Sequence, residues 1–357
     1  MIDIVFERSD DRNQFLFKDK NGTDFCFEYC PSIKGLWPDL DTEDFDVQLL
    51  IHPFLNKESN VFSLVSNIKS DTETVGYVFP ISVLDSDNFE PKRLADNNYL
   101  FIAYKVLLER LNEIDLHSDS LAKCFEDNIC VCVLNRRTIG RNHGIHDCIH
   151  SLRKYGYSYF VANNSYKQIE GYTIDRYKEL LPGSRIHVFF SIPQMYSDPI
   201  IDGIMRSLPK ADNLVYRFIL LYQIIEFLIS NSVSKSIREA INRYQSSSLC
   251  SENDFFENIN QIRKEQGIIN EILKTCKITS IDCYKSFIKH CKHLFEIANI
   301  VSLKKENDEI LFYSFRNKIV HSYRHLNSFS IELADTIFYY EQVVLTIIEK
   351  YPYNITR

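Results

Sequence analysis

The chain has 357 residues, 45% of them hydrophobic and 25% charged, with a formal net charge of −7. That balance excludes a disordered or fibrous chain and supplies apolar material for two domains with separate cores. The charge is uneven: residues 206–357 carry 20 Lys+Arg against 17 Asp+Glu and residues 1–205 carry 21 against 31, so a polyanion suits the C-terminal part better and protein or a small ligand the N-terminal part. The opening run Met1-Ile2-Asp3-Ile4-Val5-Phe6-Glu7-Arg8 lacks the basic start and unbroken apolar core of a signal peptide, so the expected location is cytoplasmic.

Short runs rich in β-branched and aromatic residues predict strands over 2–6, 25–29, 45–51, 75–83, 129–134, 157–161 and 186–192. Between them, helical apolar spacing predicts helices over 98–116 and 146–155. Residues 1–205 are therefore expected to form a mixed α/β domain. They contain no internal repeat, low-complexity tract or phosphate-binding Gly-rich loop.

After Pro193 the alternation stops and helical periodicity takes over, predicting helices over 214–230, 234–244, 254–276, 281–300, 306–323 and 328–351. Beyond Lys210 the only glycine is Gly267 and the only proline is Pro352, so little interrupts them. The expectation is an all-α bundle over 206–357, an α+β protein as a whole, and a junction between Pro193 and Pro209. The most apolar run, 214–229, is broken by Arg217, Gln223 and Glu226, which argues against a membrane span.

Ten cysteines, at 26, 30, 124, 130, 132, 148, 250, 276, 283 and 291, show no Cys-x-x-Cys pair. In a chain read as intracellular they are expected to be buried reduced thiols, and Cys130 and Cys132 to share one face of a strand as core residues. His143, His146, Cys148 and His150 crowd into eight residues, and His146 and His150 are placed to share a helical face as metal ligands. Gly144 inside the cluster and the lack of a matching acid favour a polar loop and helix start, so no metal or other cofactor is expected.

The stretch that carries chemistry is Ser314-Phe315-Arg316-Asn317-Lys318-Ile319-Val320-His321-Ser322-Tyr323. Arg316 brings a guanidinium and His321 an imidazole, the pair of groups needed to hold a phosphate and move a proton beside it. Leu311, Phe312, Phe315, Ile319 and Val320 surround them at helical spacing, so a rigid helix presents the polar groups beside a core. Asn317 and His321 are four apart and stack on one side, while Arg316 lies about 100° round from Asn317. A second copy of the spacing, Arg141-Asn142-His143-Gly144-Ile145-His146, falls between glycines and is read as a loop leading into a helix.

Arg316, Asn317 and His321 resemble the Arg, polar residue and His of ribonucleases in the HEPN superfamily of all-α domains. Tyr216 to Leu228, in which Phe218, Tyr222 and Glu226 recur every four residues, looks like the long early helix of that superfamily, particularly of its ApeA-like group. The resemblance covers about residues 210–350. It implies that Glu226 holds Arg316, that Arg316 stabilises charge on phosphorus, that Asn317 orients the imidazole or the phosphate, and that His321 transfers the proton. It further implies metal-independent cleavage of RNA by its own 2′-hydroxyl, in a homodimer that pairs two such helices across a shared cleft. Lys318, Tyr323, Arg324 and His325 are the candidate RNA contacts. The Arg316, His321 and Tyr323 spacing also resembles HEPN toxins paired with a nucleotidyltransferase antitoxin, where the Tyr is the modified residue. By the same analogy residues 1–205 sense a phage-derived or regulatory trigger, and the activity serves antiviral defence or growth arrest by cutting tRNA or other cellular RNA. The competing reading is a HEPN module that binds RNA or protein without catalysis.

Overall fold

The computed structural model describes residues 4–8, 13–18, 24–28, 42–52, 61–68, 71–85, parts of 99–107, 125–126, 128–160, 174–180, 183–246, 251–262, 264–300 and 307–352. The protein is α+β, with strands in its N-terminal part and helices in its C-terminal part. It divides into two compact units, the first closing at Ile192 and the second running from Pro193.

The first unit holds two sheets. Strands β1 (Ile4–Arg8), β2 (Asn13–Lys18) and β3 (Asp24–Glu28) form an antiparallel meander. The larger sheet has the order β8 (Ser158–Tyr159), β4 (Phe45–Ile51), β7 (Ile129–Asn135), β6 (Asp71–Pro80), β5 (Phe62–Ile68) and β9 (Arg185–His187). Every neighbouring pair is antiparallel except β5 with β9. Central β7 is buried on both faces, which is why Ile129 to Leu134 reads as an unbroken apolar run. Cys130, Cys132 and Leu134 face a core shared with Leu50, Leu64 and Val78 and with Ile145, Cys148 and Leu152 of helix α2 (Ile145–Arg153). Burial pushes the thiols of Cys130 and Cys148 up, so both stay protonated. Of the six cysteines with described side chains, five are buried.

Strands β2 and β5 have no counterpart among the predicted strands. In β5 Phe62, Leu64, Val65 and Ser66 are all buried, which erases the alternation that marks a strand; the register shift opposite Leu64 and Val65 leaves Val75 of β6 as the extra residue. The run at 186–192 yields only the three-residue β9, and Phe189 and Ile192 stay exposed. Of the helix predicted over 98–116, the described residues between 99 and 107 are helical, and the remainder lies outside the described residues.

His52 stands just past the end of β4, fully enclosed between Tyr157 and Tyr177, and bonds through Nε2 to the Tyr155 carbonyl at 2.7 Å. Burial lowers its pKa from 6.5 to about 3, and burial followed by the charges of Lys154 and Arg153 lowers that of His150 to about 4. Both folded values lie below the unfolded one, so these imidazoles stabilise the fold fully above pH 6.5. Below that, the unfolded chain binds protons that the native chain refuses, and stability falls toward pH 4. The urea midpoint of the chain is therefore expected to drop between pH 7.5 and pH 5, and His52→Gln should flatten that dependence.

The second unit is helical: α4 (Pro199–Ser207), α5 (Leu214–Ser246), α6 (Glu252–Ile262), α7 (Glu265–Thr275), α8 (Asp282–Ile297), α9 (Asp308–Leu326) and α10 (Ser330–Lys350). In the first unit α1 (Arg136–Ile139) precedes α2, and α3 (Ile174–Leu180) precedes β9. Asp198 caps α4 by accepting from the Ile200 N–H at 2.9 Å, and Pro199 takes the first helical position, where no N–H is needed. Helix α10 is the centre of the bundle, packing on α8 and α5 with an almost continuously buried run from Leu333 to Ile348.

Helix α5 is long and apolar enough to cross a membrane by length and composition, and half of its most apolar window is buried inside the structure. Its Arg217 accounts for one of the interruptions. The guanidinium makes two 2.7 Å bonds to the carboxylate of Glu341 on α10 and a third, at 3.1 Å, to the Leu208 carbonyl. Both side chains are under 10% exposed, at 7% and 3%. A planar fork matched to a carboxylate is the arrangement in which a buried pair recovers its desolvation cost.

Candidate active site around Arg316

The floor of the site is aromatic. Phe218 of α5, Phe287 of α8, Phe312 and Phe315 of α9 and Tyr340 of α10 pack ring to ring, with centroids 4.7 Å apart for Phe312–Tyr340 and 5.4 Å for Phe218–Phe315. This cluster fixes how α9 lies against α5. Phe315 points inward, so its neighbour Arg316 emerges at the α5 seam, where Tyr222 and Glu226 stand one helical turn apart.

There the Arg316 guanidinium carbon lies 5.0 Å above the centre of the Tyr222 ring. One terminal nitrogen donates to Asn317 Oδ1 at 2.9 Å and the other faces Glu226 Oε1 at 3.8 Å. Arg316 Nε is buried without a protein acceptor. Arg316 is 24% exposed and Glu226 52%, so the group is recessed but reachable. A cation over a partly desolvated ring contributes about 0.5–2 kcal/mol, whereas an ion pair this long and open contributes at most about 1 kcal/mol. The ring holds the guanidinium and Glu226 orients it. A phosphate displacing Glu226 would therefore forfeit little.

Three of the four sequence-predicted catalytic residues, Arg316, Asn317 and Glu226, are brought together. His321 sits exposed on the next turn, on Asn317's side of α9, and among the described residues no hydrogen bond or ion pair engages it. Immediately after it, Ser322 leaves helical geometry at φ −134° and ψ 22°, which kinks α9. The candidate RNA contacts beyond the kink are unequal. Tyr323 donates its hydroxyl to Asn327 at 2.8 Å and His325 Nε2 is held by the Ala298 carbonyl at 2.9 Å, so both tie down the helix end. Arg324 is exposed and Lys318, before the kink, is half-buried.

Two neighbours went unnoticed in the sequence. Glu265, the first residue of α7, accepts a hydrogen bond from the Tyr222 hydroxyl. Tyr340 is fully buried below, and its phenol is pushed up by burial and by the nearby Tyr222. An acid opening a run of buried isoleucines signals a helix start, but nothing in its spacing points to Tyr222.

The upstream Arg/His copy does different work. Arg141 and Arg137 both pair with buried Asp44, and the Arg137 hydrogen bond, helped by both charges, holds that carboxyl below its usual range. His143 and His146 face Asp147 at 3.5 and 3.1 Å, while Cys148 turns into the core. Asp46 Oδ2 accepts the Ile145 N–H at 2.7 Å and so caps α2; a Cβ at Gly144 would stand 2.5 Å from that oxygen, so a larger residue there would displace the capping carboxylate. Among the described residues no group of three or more His, Cys, Asp or Glu is arranged to hold a metal ion.

No protein-family model, curated protein or solved structure matches the chain.

Proposed function

We propose that this protein is a metal-independent endoribonuclease of HEPN type, acting as a homodimer on cellular RNA in the cytoplasm. The observation that carries the reading is the Arg316 clamp: ring, carboxylate and amide from two helices converge on one recessed guanidinium, with an unengaged imidazole one turn away. In the reaction the RNA 2′-oxygen attacks the adjacent phosphorus as its proton leaves, the bond to the 5′-oxygen breaks, and a 2′,3′-cyclic phosphate and a 5′-hydroxyl result. Arg316 neutralises charge on the phosphorane, which is worth most in a recessed site. His321 transfers protons near neutral pH, and Asn317 orients it or the phosphate. One chain supplies one such imidazole, and a second protomer supplies the other. The first unit, in this reading, senses a phage-derived or other regulatory trigger, and the output is growth arrest through cleavage of tRNA or another cellular RNA.

The test is to incubate the purified full-length chain with total RNA, with and without EDTA, and to map the new ends. The expected products carry cyclic phosphate and 5′-hydroxyl termini in equal yield under both conditions, from a species sedimenting as a dimer. Cleavage abolished by EDTA would refute the metal-free chemistry. RNA bound but left intact by the dimer would make the domain a non-catalytic binding module.

A further inference from the structure

Glu265 opens α7, where a carboxylate is favoured by the positive end of the helix dipole. It accepts a hydrogen bond from the hydroxyl of Tyr222, 43 residues earlier on α5. Tyr222 is 5% exposed and gives its ring face to Arg316 of α9. One phenol thus joins three helices, an acid at its polar end and a cation on its face. A phenol hydrogen-bonded to a carboxylate is richer in electrons, and the bond fixes the tilt of the ring; both strengthen its hold on a guanidinium. Burial, reinforced by Glu265, raises the Tyr222 pKa, so the hydroxyl keeps its proton and remains the donor.

We propose that Glu265 is a positioning residue for Arg316: through the Tyr222 hydroxyl it fixes the ring on which the guanidinium rests and thereby sets where positive charge meets the scissile phosphate. The role rests on the ribonuclease reading above. Glu226 acts on the same guanidinium by direct charge, so the two acids have separable effects. Glu226 orients the side chain from its edge, and Glu265 controls the platform beneath it.

Tyr222→Phe keeps the ring and its volume and removes only the link to Glu265; Glu265→Gln keeps an acceptor and removes the charge. On a fluorogenic single-stranded RNA, each is expected to lower kcat by about 10- to 100-fold, the cost of a small misplacement, with KM and the urea midpoint little changed. The double variant should lose no more than the worse single one, because both cut the same link. A second readout does not use activity: the Arg316 Nε–Hε resonance of the full-length chain, labelled on arginine and assigned by its loss in Arg316→Lys, should shift in Glu265→Gln and in Tyr222→Phe alike. Losses that multiply in the double variant, or a resonance and rate unchanged in Glu265→Gln, overturn the proposal. A resonance that shifts in a chain whose parent cuts no RNA upholds the positioning and discards the nuclease.

Discussion

Arg316→Ala is expected to lower RNA cleavage by about 10³-fold, and His321→Ala by about 10²- to 10⁴-fold, with both proteins still folded. The size follows from what each group supplies. In the proposed reaction the guanidinium supplies charge where the phosphorane gains it, and neither nearby cation on α9 is placed to replace it: Lys318 is half-buried, and Arg324 lies beyond the Ser322 kink. His321 contributes nothing visible to packing, being exposed without a partner among the described residues, so its removal should leave the thermal midpoint unchanged. Arg316 costs more structurally, about 0.5–2 kcal/mol for its seat on Tyr222. Arg141→Ala and His146→Ala serve as controls, since that Arg/His pair is spent on Asp44 and Asp147. Activity lost in the controls and kept in Arg316→Ala would move the site to the first unit.

Glu341→Ala should have the largest effect on stability, a loss of about 3–5 kcal/mol read as a shift of the urea midpoint. The substitution leaves Arg217, which is under 10% exposed, without the carboxylate that takes two of its hydrogen bonds. The complementary test is the double change Arg217→Met with Glu341→Leu. Replacing a buried pair by apolar side chains of similar volume is neutral or stabilising in comparable settings, so the double variant should recover most of the loss. A double variant as unstable as the single one would mean that the pair organises the bundle beyond cancelling its own charges.

The contrast between these two arginines shows what was legible in the sequence. In the sequence Arg217 is only an interruption that argues against a membrane span; its partner Glu341 lies 124 residues away in an equally apolar run and spacing cannot join them. Arg316 was legible with Asn317 and His321 through their spacing on one apolar helix, while its tie to Glu226 on α5 comes from the family resemblance and not from spacing. Glu265 was not, since its tie to Tyr222 is set by where α7 packs. Element boundaries follow the same logic. The helices predicted over 214–230 and 234–244 are one helix of 33 residues, because the polar Ser and Asn residues between them include no glycine or proline to stop it. The helix predicted over 254–276 is two, with Lys264 in extended backbone between them, and the charged residues there gave no breaker to read. In the sheet, β7 was plain because burial on both faces makes a continuous apolar run, and β5 was hidden because its buried residues include Ser66 and do not alternate with exposed ones.

The departure of Ser322 from helical geometry has a mechanical meaning. The last turn of α9 is fastened elsewhere, through His325 to the Ala298 carbonyl at the end of α8 and through Tyr323 to Asn327. The turn beyond the kink thus has anchors of its own, separate from the aromatic packing that seats Arg316 and Asn317 against α5.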